Sequence, residues 1–379
     1  MRIPVTGLGA IAANGTDPDQ IFKSLCTGQG GPEHLRGFDR RRFTAQRLFE
    51  IDDRGPDGDR PLRATAFLLE AISQALADAG LGDDLGDVPM LVGTGLRELR
   101  SVELWHRDGA EFRLEELHFG TALRERFNAF DTHTFSNACS ASLYALALGA
   151  DLIDCGDADT VVVAGVDTVT ESMFGLADRV QPHPPESVRP FDSGRQGTIL
   201  GDGAAAVVLQ RPDTVRDPAA VHGWIRGVSA NCDAYHPTAP SLEGVTAAIA
   251  QAHARSGLGP DDVDLVLLHG TGTALNDPVE ATALRQAHGA SANRPLMTAI
   301  KALTGHTSGS AGLMSCMVAL KALREGTVPP VAGLTDPIPE TAGFRLVRPE
   351  AARETLDVAQ VHGFGFGGIN AVAILQGPR

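Results

Sequence analysis

Ala71-Ile-Ser-Gln-Ala-Leu-Ala-Asp-Ala-Gly-Leu-Gly82, followed by Val88-Pro-Met-Leu-Val-Gly-Thr-Gly95, decides the fold because it occurs twice. Apolar residues recur at helical spacing until glycine ends the run, and a short apolar strand then closes in a Gly-Thr-Gly turn. Ala248-Ile-Ala-Gln-Ala-His-Ala-Arg-Ser-Gly-Leu-Gly259 leads in the same way into Leu265-Val-Leu-Leu-His-Gly-Thr-Gly272. Helix and turn return at one common offset, 71 to 248 and 93 to 270. A second pair aligns with different chemistry: Cys139 opens an apolar run closed by Gly156, and Gly309 opens one closed by Gly326. Chance likeness between alanine-rich helices does not explain a shared order of helix, strand and turn, so the chain reads as one internal duplication. The polar, turn-rich Arg211-Pro-Asp-Thr-Val-Arg-Asp-Pro-Ala-Ala220 is the natural joint, giving halves 1–212 and 213–379. Strand and helix alternate in each, which predicts an α/β class with both sheet faces covered.

The 379 residues are 43% hydrophobic and 21% charged, ample for two domains or one double-sized one. A net charge of -15 argues against a broad nucleic-acid footprint. Cys26, Cys139, Cys155, Cys232 and Cys316 are scattered without metal-ligand spacing, so neither a metal site nor a disulfide framework is expected, and a reducing compartment is. The N-terminus, broken by Pro4 and glycines, reads as strand and turn without a signal-peptide pattern. No run of about 18 apolar residues is apparent, so the expectation is a cytoplasmic protein with no membrane span. The charged stretch from Leu96 to Asn128 reads as a surface excursion or a subunit interface.

Phe135-Ser-Asn-Ala-Cys-Ser-Ala-Ser142 joins the extended run Asp131–Phe135 to an apolar helix reaching Asp154. Cys139 then sits on a sharp strand-to-helix turn, where free backbone N–H groups and the helix dipole favour thiolate. A lone cysteine is more often structural, and its company changes that reading. His269-Gly-Thr-Gly-Thr273 follows a buried strand and precedes Asn276, Asp277 and Glu280. Lys301-Ala-Leu-Thr-Gly-His306 leads into an apolar helix, and Val361-His-Gly-Phe-Gly-Phe-Gly-Gly-Ile-Asn370 is a glycine-rich turn before the last strand. Arg189-Pro-Phe-Asp192, Arg195 and Gly201-Asp-Gly-Ala204 precede another strand. Each alone has a bland meaning: a structural histidine, a solvated lysine, a tight turn. Together they supply a thiol, two imidazoles, a cation and free N–H groups at strand ends, a set suited to acyl transfer through a thioester.

With Asn137-Ala-Cys-Ser-Ala-Ser142, Arg189-Pro-Phe-Asp192, His269-Gly-Thr-Gly-Thr273, Lys301 with Gly305-His306, and Gly363-Phe-Gly-Phe-Gly-Gly-Ile-Asn370 in this order, the chain resembles a β-ketoacyl synthase (ketosynthase) of the thiolase superfamily. The resemblance spans essentially the whole chain. It implies a duplicated fold of two βαβαβαββ halves in five layers, α-β-α-β-α. It also implies a decarboxylative Claisen condensation, in polyketide or specialised fatty-acid biosynthesis. Cys139 would take an acyl group, and His269 and His306 would stabilise the enolate of a malonyl-type extender. Loss of His306 would on that reading block condensation and permit acylation. Backbone N–H groups of Cys139 and Phe364 would form the oxyanion hole, and Phe364 would gate the nucleophile. Lys301 and Glu280 would order His306 and its surroundings. Thr271 and Thr273, with Phe364 and Phe366, would hold the pantetheine arm.

No cofactor is implied beyond the phosphopantetheine of an acyl carrier protein or coenzyme A. The implied partners are the carrier protein and a second copy or a ketosynthase-like subunit. Carrier docking falls on Arg60 and Arg63, with Arg40-Arg-Arg42 a further candidate. The Cys-His-His set departs from a thiolase, which would carry a second cysteine where Phe364 and Phe366 stand, and from a chain-length factor, which would lack Cys139. An acyltransferase on the same fold, passing its acyl group to an amine, alcohol or thiol, is the rival reading. Val361-His362 in place of the usual Asn-Ser, and an atypical stretch from Gly95 to Asn137, depart from the family pattern.

Overall fold

The computed structural model describes residues 2–54, 58–181 and 183–378. The first half runs β1 (Ile3–Ala12), α1 (Arg63–Asp78), β2 (Met90–Gly93), α2 (Phe119–Phe127), β3 (Thr132–Phe135), α3 (Ala141–Cys155), β4 (Thr160–Asp167) and β5 (Gly203–Gln210). The second runs β6 (Gly223–Cys232), α4 (Leu242–Ser256), β7 (Leu265–Leu267), α5 (Asn276–His288), β8 (Leu296–Thr298), α6 (Ala311–Glu325), β9 (Val358–Gly365) and β10 (Ile369–Gln376). Both read βαβαβαββ. Strand order β1-β5-β4-β2-β3 in the first half is repeated as β6-β10-β9-β7-β8 in the second, where Arg345–Leu346 adds an edge strand. The inner pairs are antiparallel and the outer ones parallel in both halves.

The two sheets are one ladder. Ile3, Pro4 and Val5 of β1 pair with Ile225, Trp224 and Gly223 of β6, so eleven strands are continuous across the duplication. Helix α3 packs on β4 and β2 of its own half and on β6 and β10 of the other, and α6 likewise touches β9 and β5. The two helices contact each other and form the central layer, while α1 covers β1, β5 and β4 outside and α4 covers β6 and β10. One apolar cluster accordingly draws on both halves, from Ile3 and Leu146 to Met317 and Leu375.

Helices α3 and α6 are almost wholly apolar because both faces meet a sheet. Each ends at a left-handed glycine, Gly156 at φ 80° and Gly326 at φ 64°, whose N–H caps the final carbonyls. Contrary to expectation, the helical run Ala138–Cys155 is long and apolar enough to cross a membrane. Half of it is buried inside this protein, and its contacts are the strands just named.

Candidate active site

Cys139 lies in a tight turn, Ala138–Ser140, between β3 and α3. Ala138 has φ +47°, a left-handed conformation that costs a non-glycine residue on the order of 1 kcal/mol or more. Its neighbours hold it there: the Ser140 hydroxyl donates to the Ile369 carbonyl at 2.8 Å, and the Leu313 N–H donates to Ser142 Oγ at 3.1 Å. The end of β9 approaches so closely that a Cβ on Gly365 would lie 3.0 Å from Ser140 Oγ and 3.2 Å from the Cys139 nitrogen.

Burial pushes the Cys139 thiol up to about 11, against the nearby Lys301 charge and with Asp167 reinforcing the rise. Desolvation thus works against the helix terminus that was expected to favour thiolate. Backbone N–H groups of Phe366 and of Cys139 itself reach the sulfur. His306 Nε2 stands 3.0 Å from Sγ. The His306 backbone is fixed as a strand residue would be, donating to the Ile199 carbonyl at 2.8 Å and accepting from the Gly201 N–H. Burial, then the Lys301 charge, holds its imidazole well below the usual range, so it is a neutral base. Its Nδ1 is buried with no hydrogen-bond partner among the described residues.

The His269 ring lies 5.5 Å from that of His306 and nearly perpendicular to it, at 85°. It too is held neutral by burial, then by Lys301, His306 and His362. Lys301 opens the single turn Lys301–Thr304, and its ammonium donates to the His269 carbonyl and stands 3.5 Å from His269 Nδ1. An ammonium facing Nδ1 selects the tautomer with hydrogen on Nε2. Burial lowers Lys301 to about 8, opposed by Glu280, Cys139 and Asp277. The Glu280 carboxylate accepts the N–H groups of His269 at 2.6 Å and Gly270 at 2.9 Å. Lys301 and Glu280 thus contact His269, where the sequence had assigned them to His306. Lys301 precedes His306 in the chain, but its side chain crosses to the end of β7.

Thr271 and Thr273 lie together, hydroxyl to hydroxyl at 2.9 Å, with Asp277 accepting the N–H groups of Thr271 and Gly272. The backbone N–H expected from Phe364 at the sulfur comes from Phe366 instead. Phe364 is 6% exposed, inside β9 and paired with Asn370, its ring packed against both His269 and His362. Phe366, in the turn beyond the strand, is 47% exposed and supplies the N–H facing the sulfur.

Residues 131–214 match the N-terminal domain of β-ketoacyl synthases, and residues 222–335 match the C-terminal domain. The chain belongs to the β-ketoacyl synthase family. It is 30% identical to a putative polyketide β-ketoacyl synthase 1 of Streptomyces cyaneus, covering 100% of this chain and 98% of that one. It is 27% identical to 3-oxoacyl-[acyl-carrier-protein] synthase 2 of Coxiella burnetii, over 99% and 98% of the two chains. Among solved structures, the ishigamide ketosynthase/chain length factor superposes with a TM-score of 0.89 at 28% identity, covering 99% of each chain.

Two residues of this β-ketoacyl synthase escaped the sequence reading. Asp167, the last residue of β4, is buried and accepts four donors: Thr94 Oγ1, and the N–H groups of Gly95, Leu96 and Gly309. It ties loops of both halves beneath Cys139, and burial raises it to about 6 against those bonds. A single acid ending an otherwise apolar strand was its only signal. His362, which in the sequence showed only as a departure from the family pattern, is the second: its Nδ1 lies 2.8 Å from Glu280 Oε1. Arg189-Pro-Phe-Asp192 is a clamp beside the His269–Thr273 turn: the Phe191 N–H donates to Asp277 at 2.7 Å, Asp192 accepts the N–H groups of Gly194, Thr335 and Asp336, and Arg189 pairs with it at 2.8 Å.

Arg63 is not at the surface. It is 1% exposed and paired with Asp53 at 2.7 Å, Asp202 at 2.9 Å and Asp59 at 3.4 Å. A guanidinium so enclosed cannot meet a partner, and its carrier-docking assignment is withdrawn. Arg60, three residues earlier, has a side chain 54% exposed beside Asp53. Arg40, Arg41 and Arg42 are exposed, with Arg41 held by Asp39 and Arg42 by Glu171.

Proposed function

We propose that this chain is a β-ketoacyl-[acyl carrier protein] synthase that condenses an acyl group held on Cys139 with a malonyl-type extender. One observation carries the reading: a thiol 3.0 Å from a neutral imidazole, with a second imidazole 5.5 Å away and two backbone N–H groups at the sulfur. In the first step His306 takes the thiol proton as sulfur attacks the incoming thioester. The carbonyl oxygen is received by the N–H groups of Cys139 and Phe366, and the departing pantetheine thiolate takes the proton back. In the second, the extender's thioester carbonyl lies against the imidazoles, with the His269 Nε2–H as donor. Its carboxylate leaves as carbon dioxide and the electron pair enters the enolate. The enolate carbon attacks the acyl carbonyl, and the Cys139 thiolate leaves and takes up one proton from solvent, the proton that loss of carbon dioxide from an ionised extender consumes. Charge builds on oxygen in both steps, where fixed donors in a dry site act most strongly.

The pantetheine arm would run past Thr271 and Thr273, with Phe366 as the mobile ring at the entrance. An acidic carrier protein needs a local basic surface on so acidic a chain, and Arg60 with Arg40–Arg42 supplies the candidates. A second ketosynthase-like subunit would sit at β3, an edge strand of the sheet that follows the exposed Phe130 in the chain.

Intact-protein mass spectrometry with acyl carrier thioesters, followed by malonyl carrier protein, tests the reaction. An acyl adduct on wild type that is absent from Cys139→Ala, and is discharged with release of carbon dioxide, is expected. Discharge only to an amine, alcohol or thiol, without carbon dioxide, would make this an acyltransferase instead.

A further inference from the structure

Behind Glu280 runs a buried chain of polar side chains. His362 Nδ1 lies 2.8 Å from Glu280 Oε1, and His362 Nε2 lies 2.6 Å from the amide of Gln360, two residues earlier on the same face of β9. The other end of that amide meets His253 Nε2 at 2.9 Å and His288 Nε2 at 3.0 Å. His253 Nδ1 lies 2.9 Å from the Leu258 carbonyl. All of these residues are buried, Gln360 and His362 almost completely.

Counting hydrogens along this chain gives a result that no single contact shows. A carbonyl only accepts, so His253 Nδ1 carries a hydrogen; an ionised Glu280 only accepts, so His362 Nδ1 carries one too. The remaining nitrogens of these rings face opposite ends of one amide, which offers donors at one end and an acceptor at the other. Whichever way the amide is turned, the ring facing its oxygen must donate through its second nitrogen, and is then an imidazolium. With the amide oxygen toward His253 the imidazolium is His253; with it toward His362 the proton is His362's, or passes to Glu280. His288 fits either orientation as a neutral ring, because its Nδ1 has no partner among the described residues.

We propose that His362 is a positioning residue for His269, acting through Glu280, and that the chain Glu280–His362–Gln360–His253 holds one shared proton that neutralises the Glu280 carboxylate from behind. The inference rests on the condensation reading above. Its consequence is electrostatic. Glu280 grips the His269 turn through two backbone N–H groups, and a bare buried carboxylate there would draw on the Lys301 charge. Compensated by the shared proton, it leaves Lys301 to act on His269 and the reacting atoms. Lys301 has no carboxylate within ion-pair distance among the described residues, whereas the Glu280 carboxylate lies 2.8 Å from His362 Nδ1.

Other charges bear on the chain. At the site end stand Lys301, His269, Asp277, His306 and Cys139. At the far end Asp261 faces His288, which burial lowers to about 4, so His288 is the neutral member.

Three variants separate the parts: Gln360→Met, which breaks the relay without touching Glu280; His362→Asn, which keeps a donor of the Nδ1 type; and His362→Phe, which removes both contacts. Acyl loading of Cys139 is read by mass spectrometry, and condensation kinetics are followed from pH 6 to 10. In all three, loading should persist. Gln360→Met and His362→Asn should move the alkaline limb of condensation, set by Lys301, to higher pH, because an uncompensated Glu280 holds the ammonium protonated. His362→Phe should also lower kcat by about 10- to 100-fold with little change in KM for the malonyl carrier, and His362→Asn should recover much of that rate. An alkaline limb unmoved in both Gln360→Met and His362→Asn would overturn the shared proton. Wild-type kcat in His362→Phe would overturn the positioning role. Absence of any Cys139 adduct in the wild type would count against the condensation reading itself.

Discussion

His306 stands 3.0 Å from the Cys139 sulfur, and that contact changes what its loss should do. A thiol pushed up to about 11 is almost wholly protonated at neutral pH and needs a base at hand. His306→Ala should therefore slow acyl loading as well as condensation, each by about 10²- to 10⁴-fold, measured by rapid-quench mass spectrometry. Loading at the wild-type rate would restrict His306 to the second step. Lys301 gives a prediction in pH. Its folded value, near 8, lies below the ordinary 10.5, so its charge is present below pH 8 and is lost as pH rises through that value. Condensation by pre-acylated enzyme should fall across the same interval, and Lys301→Ala should lack that limb. At this scale Cys139, His269 and His306 were legible because each sits in a turn whose small residues and glycines are local requirements. Phe364 and Phe366 were not separable. They share one glycine run, and only the end of β9 at Gly365 decides which ring is packed inside.

The elements place Cys139 through their pseudo-symmetry. The turns before α3 and α6 meet, and each contains a left-handed non-glycine residue, Ala138 at φ 47° and Ser308 at φ 48°. The next residue is Cys139 in one and Gly309 in the other. They differ because a Cβ on Gly309 would lie 2.5 Å from Thr94 Cα, a backbone atom with no freedom to retreat. Gly309→Ala should cost about 1–3 kcal/mol and reduce activity, since the Gly309 N–H is also one of the donors to Asp167. Thermal and urea unfolding would measure the first effect, and Cys139 loading the second. The duplication could be read because helix lengths and glycine caps repeat. The join at β1–β6 could not, since strand pairing depends on which edges meet, and a strand's side-chain pattern does not name its neighbour.

For the whole molecule, the ion cluster around Arg63 binds the β1–α1 connection to the start of β5, through Asp53, Asp59 and Asp202. Removing a buried cation leaves uncompensated carboxylates, so Arg63→Met should cost about 3–5 kcal/mol of stability. Arg60→Glu should leave the unfolding midpoint in place and raise KM several-fold for carrier-borne acyl groups only, with a free pantetheine thioester unaffected. Equal effects on both donors would remove Arg60 from the docking surface. Sequence placed the two arginines together because they are three residues apart. The fold turns one into the core and leaves the other in solvent.

By itself the sequence determined the α/β class, the duplication, and the identity of the thiol, the imidazoles and the lysine. Those rest on local spacing, caps and turns, which are written residue by residue. Tertiary structure decided which histidine Lys301 and Glu280 contact, which phenylalanine N–H faces the sulfur, how far burial opposes the thiolate, and that Asp167 and His362 lie beside the site. Each of these depends on a contact between residues distant in the chain, or on how much water the fold removes from a charge. Neither quantity exists until the two halves close on their shared central helices.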